Sequence, residues 1–272
     1  MMQDFEALKV EISENVATVS LNRPEKANAL NGVLWNEIGQ AFDALDENDA
    51  VRVIILRGEG KHFSSGIDFM LIAELMASIA SFPEGKKQET LRRRILGMQS
   101  SFTAAERCRK PVVAAIKGAC VGGAIDLITA CDMRYAVKES RFSVKEVDLA
   151  IVADIGTLQR LPGLVGEGVC RELALTGRTF EGEEAKRLGL LNDVFENEEA
   201  LMEHVRGVAM EIAQKSPVTV RGVKQVLNYS RDHSVQDGLD YVATWNAAML
   251  LSADAQEAVT ATFEKRTPVF AD

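Results

Sequence analysis

Short apolar strands alternate with amphipathic helices as far as residue 195, and beyond residue 197 the pattern is helical only. That order restricts the chain to an α/β body followed by a helical C-terminal third. Alternation in Leu8-Lys9-Val10-Glu11-Ile12 and in Val16-Ala17-Thr18-Val19-Ser20-Leu21, split by Ser13-Glu14-Asn15, predicts a hairpin. Leu34, Ile38, Phe42 and Leu45 fall at helical spacing over 32–48, and Val51–Arg57 reads as a buried strand ended by Gly58-Glu59-Gly60. Helices over 68–80 and 87–106 are separated by Pro83-Glu84-Gly85. Strands at Pro111–Ile116 and Asp132–Val137 flank a helix that begins near Gly122, and Leu190–Phe195 is the last short strand. A soft boundary near residue 200 divides a core of 1–200 from a region of 201–272, with no low-complexity linker between them.

The 272 residues, 47% of them apolar, suffice for a substantial core. Forty acidic against 31 basic residues leave a net charge of −9, which argues against nucleic acid or an anionic membrane surface as the main partner. Cys108, Cys120, Cys131 and Cys170 sit in apolar surroundings without paired spacing and are expected to be buried free thiols in a reducing compartment. His62, His204 and His233 are scattered, so no metal site is expected. No signal-like apolar region or long apolar span is visible, and Val269-Phe270-Ala271-Asp272 is not a peroxisomal address. A soluble cytoplasmic protein is the resulting expectation.

Three acids stand in apolar, glycine-bearing sequence. Asp126 closes Gly122-Gly123-Ala124-Ile125-Asp126, Glu146 lies in Val144-Lys145-Glu146-Val147-Asp148, and Asp154 precedes Ile155-Gly156. Burying an ionised carboxylate without a partner is costly, so such acids have a partner or a chemical task. Each also has a plainer reading. Asp126 can complement a helix dipole, Glu146 can be a solvated charge beside Lys145, and Asp154 can cap a helix. Asp148 rivals Glu146, because strand alternation would put both on one face. Two loops, Phe63-Ser64-Ser65-Gly66-Ile67-Asp68 and Gly122-Gly123, could aim backbone N–H groups at one carbonyl oxygen, an oxyanion hole for a developing enolate.

Taken together, several segments resemble the enoyl-CoA hydratase/isomerase (crotonase) superfamily over essentially the whole chain. They are Leu21-Asn22-Arg23-Pro24-Glu25-Lys26-Ala27-Asn28-Ala29-Leu30, the Phe63–Asp68 loop, Lys110–Gly118, Gly122-Gly123 and Gly156-Thr157-Leu158-Gln159-Arg160-Leu161-Pro162. Within it, Asp126–Asp132, Val144–Asp148, Ala153–Arg160 and Tyr229–Val235 are most similar to the Δ3,5-Δ2,4-dienoyl-CoA isomerases. The resemblance implies a spiral of ββα units, a helical C-terminal region used in trimer contacts, often a hexamer of two trimers, and coenzyme A thioester substrates. It places the oxyanion hole at the N–H groups of Ile67 and Gly123, and the acids at Asp126, Glu146 and Asp154.

Asp154 distinguishes the subfamily, since typical hydratases have glutamates at the Asp126 and Glu146 positions and usually a glycine at 154. The resemblance further implies a coenzyme A contact set of Lys26, Asn28 and Asp68, with Phe263 and Lys265 from a neighbouring subunit. The acyl pocket is expected to be lined from residues 69–106, whose Met70, Leu71, Leu75 and Met76 suit a fatty chain. No separate cofactor is implied, because coenzyme A arrives with the substrate. The expected activity is a double-bond shift from 3,5-dienoyl-CoA to 2,4-dienoyl-CoA in fatty-acid β-oxidation. The rivals are an enoyl-CoA hydratase and a non-catalytic scaffold on the same fold.

Overall fold

The computed structural model describes residues 4–271. Its hairpin pairs β1 (Leu8–Ser13) with β2 (Val16–Leu21) antiparallel, and Glu14 and Asn15 both take positive φ in the two-residue turn. The chain continues through α1 (Gly32–Asp46), β3 (Val53–Gly58), α2 (Phe69–Ile79) and α3 (Glu84–Arg107). Next come β4 (Val112–Ile116), β5 (Ala119–Val121), α4 (Gly123–Thr129), β6 (Met133–Val137) and β7 (Arg141–Ser143). α5 (Thr157–Val165), α6 (Glu167–Thr176), β8 (Phe180–Glu181), α7 (Gly182–Leu188) and β9 (Asp193–Phe195) complete the body. The tail is α8 (Glu198–Ala213), α9 (Pro217–Ser230), α10 (Val235–Met249) and α11 (Ala253–Glu264).

A six-stranded sheet runs β1-β2-β3-β4-β6-β9, parallel from β2 onward. Helices cover both faces, so its central strands are apolar throughout rather than alternating. Period-2 geometry then sorts β3 between two cores. Ile54 and Leu56 join the main cluster with Leu34, Ile38 and Phe42 of α1, while Val53 and Ile55 meet Leu201, Val205 and Ala209 of α8. The expected division at residue 200 falls inside the first turn of α8, which closes the second face of the sheet.

A separate three-stranded sheet, β5-β7-β8, carries the turns that lead into the site. Its strands of two or three residues carry too few alternations to be read from sequence.

α9 is pinned to the body by Lys224. Its buried ammonium donates to the carbonyls of Ala105 (3.1 Å) and Lys110 (3.0 Å) and pairs with Asp132 at 2.8 Å. Lys110, equally buried, donates to the carbonyls of Leu45 and Asn48. Otherwise α9–α11 leave large apolar side chains exposed, among them Leu227, Leu239, Leu250 and Phe263. Among the described residues no helix is long and apolar enough to cross a membrane.

Candidate active site

The loop after β3 is held beside β5: Ser64 N–H donates to Ala119 at 3.0 Å, and Val121 N–H returns to Ser64 at 3.2 Å. Gly66, at φ +88°, lies so close to the Val121 carbonyl that a Cβ would sit 2.6 Å from its oxygen. Only glycine permits that approach. Gly122 (φ 56°, ψ −124°) then turns the chain into α4. These contacts bring Ile67 and Gly123 to the wall of one cavity of about 260 Å³. Among the described residues neither N–H donates to any protein acceptor. Two unspent backbone donors therefore line one cavity.

The same cavity takes in Asp126, Glu146 and Asp154. Asp126 lies in the first turn of α4 but is only 1% exposed. Its Oδ1 accepts the Thr157 N–H at 2.6 Å. Burial pushes its pKa up to about 7, with the charges of Glu146 and Asp154 adding and the bonds to Thr157 opposing.

Glu146 is raised by burial and by the charge of Asp154 against the pull of nearby backbone N–H groups, and its Oε2 is shut from solvent without a hydrogen-bond partner. A solvated surface charge it is not. Its Oε1 also approaches the Gly122 turn, since a Cβ on Gly122 would lie 3.3 Å away. Burial raises Asp154 as well. Gly156, not Asp154, stands at the N-cap of α5, so this carboxylate is not spent on capping. Among the described residues no three acids, histidines or cysteines converge tightly enough to hold a metal ion. The carboxylates line the cavity rather than meet at one point.

One local reading changes. Glu146–Leu149 is a single 3-10 turn, not a strand, so alternation does not put Asp148 beside Glu146. Asp148 reaches the cavity edge but is half exposed and ion-paired with Lys145.

The coenzyme A set separates. Lys26 is exposed on the one-turn helix Pro24–Lys26. Asp68 caps α2 through Met70 N–H (3.1 Å) and pairs with Arg23 at 3.1 Å. Asn28 is fully buried; its Oδ1 accepts Arg23 N–H, and its Nδ2 donates to Glu59 and His62 carbonyls. Its amide is spent inside the protein and shapes the loop that runs from Lys26 to Asn28. Phe263 and Lys265 are exposed at the end of α11 and do not line this cavity.

The apolar wall is corrected in part. Within 69–106 the lining residues are Phe69 and Met98 rather than Met70, Leu71, Leu75 and Met76, and Trp35 and Ile151 join them. α2 buries none of its residues, and Met70 and Met76 are exposed. Trp35 and Met98 carry no sequence signal beyond helical spacing. Trp35 Nε1 donates to the Met98 carbonyl at 3.0 Å, which joins the two across 63 positions. A larger apolar cavity of about 510 Å³ adjoins, sharing Glu146 and Ile151.

Residues 11–272 match the family model described as Enoyl-CoA hydratase/isomerase, and the chain belongs to that family. It is 51% identical to the peroxisomal Delta(3,5)-Delta(2,4)-dienoyl-CoA isomerase of Arabidopsis thaliana, over 98% of this chain and 96% of that one. Identity to the mitochondrial Delta(3,5)-Delta(2,4)-dienoyl-CoA isomerase of Homo sapiens is 42%, over 96% of this chain and 80% of that one. The fold is that of an enoyl-CoA hydratase from Bacillus anthracis, solved by crystallography, with TM-score 0.87, 31% identity and coverage of 97% and 99%.

The relatives' names overturn the expectation of a cytoplasmic protein, since these similar isomerases are peroxisomal and mitochondrial. Buried reduced cysteines suit such interiors as well as the cytosol, so cysteine usage does not separate them.

Proposed function

We propose that this protein is a Δ3,5-Δ2,4-dienoyl-CoA isomerase acting in fatty-acid β-oxidation. The observation that carries the reading is Asp154: a third carboxylate, raised by burial, facing the same cavity as Glu146 and the two unspent N–H groups. A hydratase has no use for an acid at that remote position.

In this scheme the thioester oxygen of a 3,5-dienoyl-CoA accepts hydrogen bonds from Ile67 N–H and Gly123 N–H. Glu146, ionised, takes a proton from C2. The C2–H electron pair spreads into a dienolate from the oxygen to C6, and the two donors stabilise its oxygen end. Asp154, protonated, delivers its proton to C6, leaving the 2,4-dienoyl product. Glu146 ends protonated and Asp154 ionised, and proton exchange with water resets them. Burial raises both Glu146 and Asp154, and as a coupled set they can hold the single proton that this start needs. Asp126 steadies the start of α5 through Thr157 and keeps the acids electrostatically coupled. Phe69, Met98 and Ile151 give the conjugated chain apolar walls. Lys26, and Phe263 and Lys265 of a neighbouring copy, would meet the coenzyme A portion. No step calls on a separate cofactor.

Ultraviolet absorbance tests the reading directly. A 3,5-dienoyl thioester should gain the longer-wavelength band of a diene conjugated with its carbonyl, whereas loss of the enoyl band from a 2-enoyl thioester, with no such band from the dienoyl substrate, would establish a hydratase instead. Asp154→Asn should lower isomerisation by about 10²–10⁴-fold while thioester binding persists.

A further inference from the structure

We propose that Gln99 and Arg160 are positioning residues for Asp154, acting through the main chain of the turn that carries it; the inference rests on the isomerase reading above. Residues 151–156 connect the 3-10 turn to α5 without helix or strand, so no ladder of backbone bonds fixes where Asp154 stands. Side chains do it instead. Gln99 Nε2 donates to the Asp154 carbonyl at 2.5 Å. Arg160 Nη1 donates to the Ile155 carbonyl at 3.4 Å. The guanidinium lies directly against Gly156, at φ +137°, where a Cβ would stand 1.8 Å from Nη1. Any side chain at 156 would evict it.

Arg160 is itself held rigidly. Its Nε and Nη2 both donate to Glu106 Oε2, at 2.9 and 2.7 Å, and Nη2 also donates to Thr103 Oγ1 at 3.1 Å. Arg231, just beyond α9, pairs with the other oxygen of Glu106. Arg160 and Glu106 are 11% and 13% exposed, so solvent screens this pair weakly. Gln99, Thr103 and Glu106 stand at spacings of four and three on α3, which makes one polar stripe facing the turn. Met98 of the same helix lines the cavity. One helix thus sets both the wall beside the substrate and the height of the acid.

The consequence is specific to one half of the reaction. Glu146 belongs to a different turn and shares none of these bonds, so proton removal at C2 does not depend on them. Delivery at C6 does, because a misplacement of about 1 Å can cost about 10²-fold.

The test compares two rates in the full-length protein: isomerisation by absorbance, and exchange of the C2 hydrogen for deuterium in heavy water. Gln99→Met keeps the chain length and removes the donor. Its kcat for isomerisation should fall about 10- to 100-fold with KM little changed, while C2 exchange continues near the wild-type rate. Arg160→Lys, which cannot reach Glu106 and Ile155 together, should show the same split; if that variant does not fold, Gln99→Met alone decides. Exchange and isomerisation falling together would mean a merely structural clamp, and two unchanged rates would mean no role; either overturns the proposal. The wild-type control separates the failures. No 2,4-dienoyl product from the wild type removes the isomerase reading and this inference with it, whereas an active wild type beside an unaltered variant removes the inference alone.

Discussion

Asp126 keeps a carboxyl group where water does not reach, and its raised pKa of about 7 has a consequence for stability. An acid raised on folding binds its proton more tightly in the native state. Its contribution therefore favours the fold fully below the unfolded value of about 3.9 and is lost as pH rises through about 7. Asp126→Asn retains an oxygen for the Thr157 N–H and never ionises. It should melt several degrees above the wild type at about pH 8 and close to it at about pH 4, as calorimetry at the two values would show. Gly122→Ala acts on the neighbouring acid. The new methyl stands 3.3 Å from Glu146 Oε1, on a backbone that L-residues rarely adopt. Steady-state kinetics should show kcat falling at least about tenfold from the displaced base.

α1 and α3 form the frame on which the cavity is hung. Trp35 and Phe102 stack with ring centroids 4.5 Å apart and planes within 2°, and Phe102 is fully buried. Phe102→Ala should cost about 3–5 kcal/mol in urea unfolding and raise KM, since its ring supports Trp35 on the cavity wall. α1 was legible in the sequence because it repeats its apolar period several times, and β3 because it is an unbroken apolar run ended by glycine. β5, β7 and β8 were not, being too short to show a period. Glu146 marks the same limit inside the site: its identity was legible, but five residues of mixed polarity do not separate a strand from a 3-10 turn. The three acids stood out as charges in apolar sequence, and Ile67 and Gly123 could be named because the family resemblance points to those positions. Pairings such as Gln99 with Asp154, 55 positions apart, leave no local trace.

At the scale of the molecule, α9–α11 bury few residues and expose many apolar ones. We propose that 201–272 serves self-association, as trimer or hexamer, with α8 contributing also to the sheet. Sedimentation of the wild type should give a multiple of the chain mass, and Leu227→Asp combined with Leu250→Asp should shift it toward the monomer. The anchorage of this tail also has a chemical signature. Lys224 of α9 spends its ammonium group on the carbonyls of Ala105 and Lys110 and on Asp132. A reagent that acylates amines will mark the surface lysines at once, yet reach this one only during moments when α9 lifts away. Its slow acylation would act as a clock for how often the tail lets go.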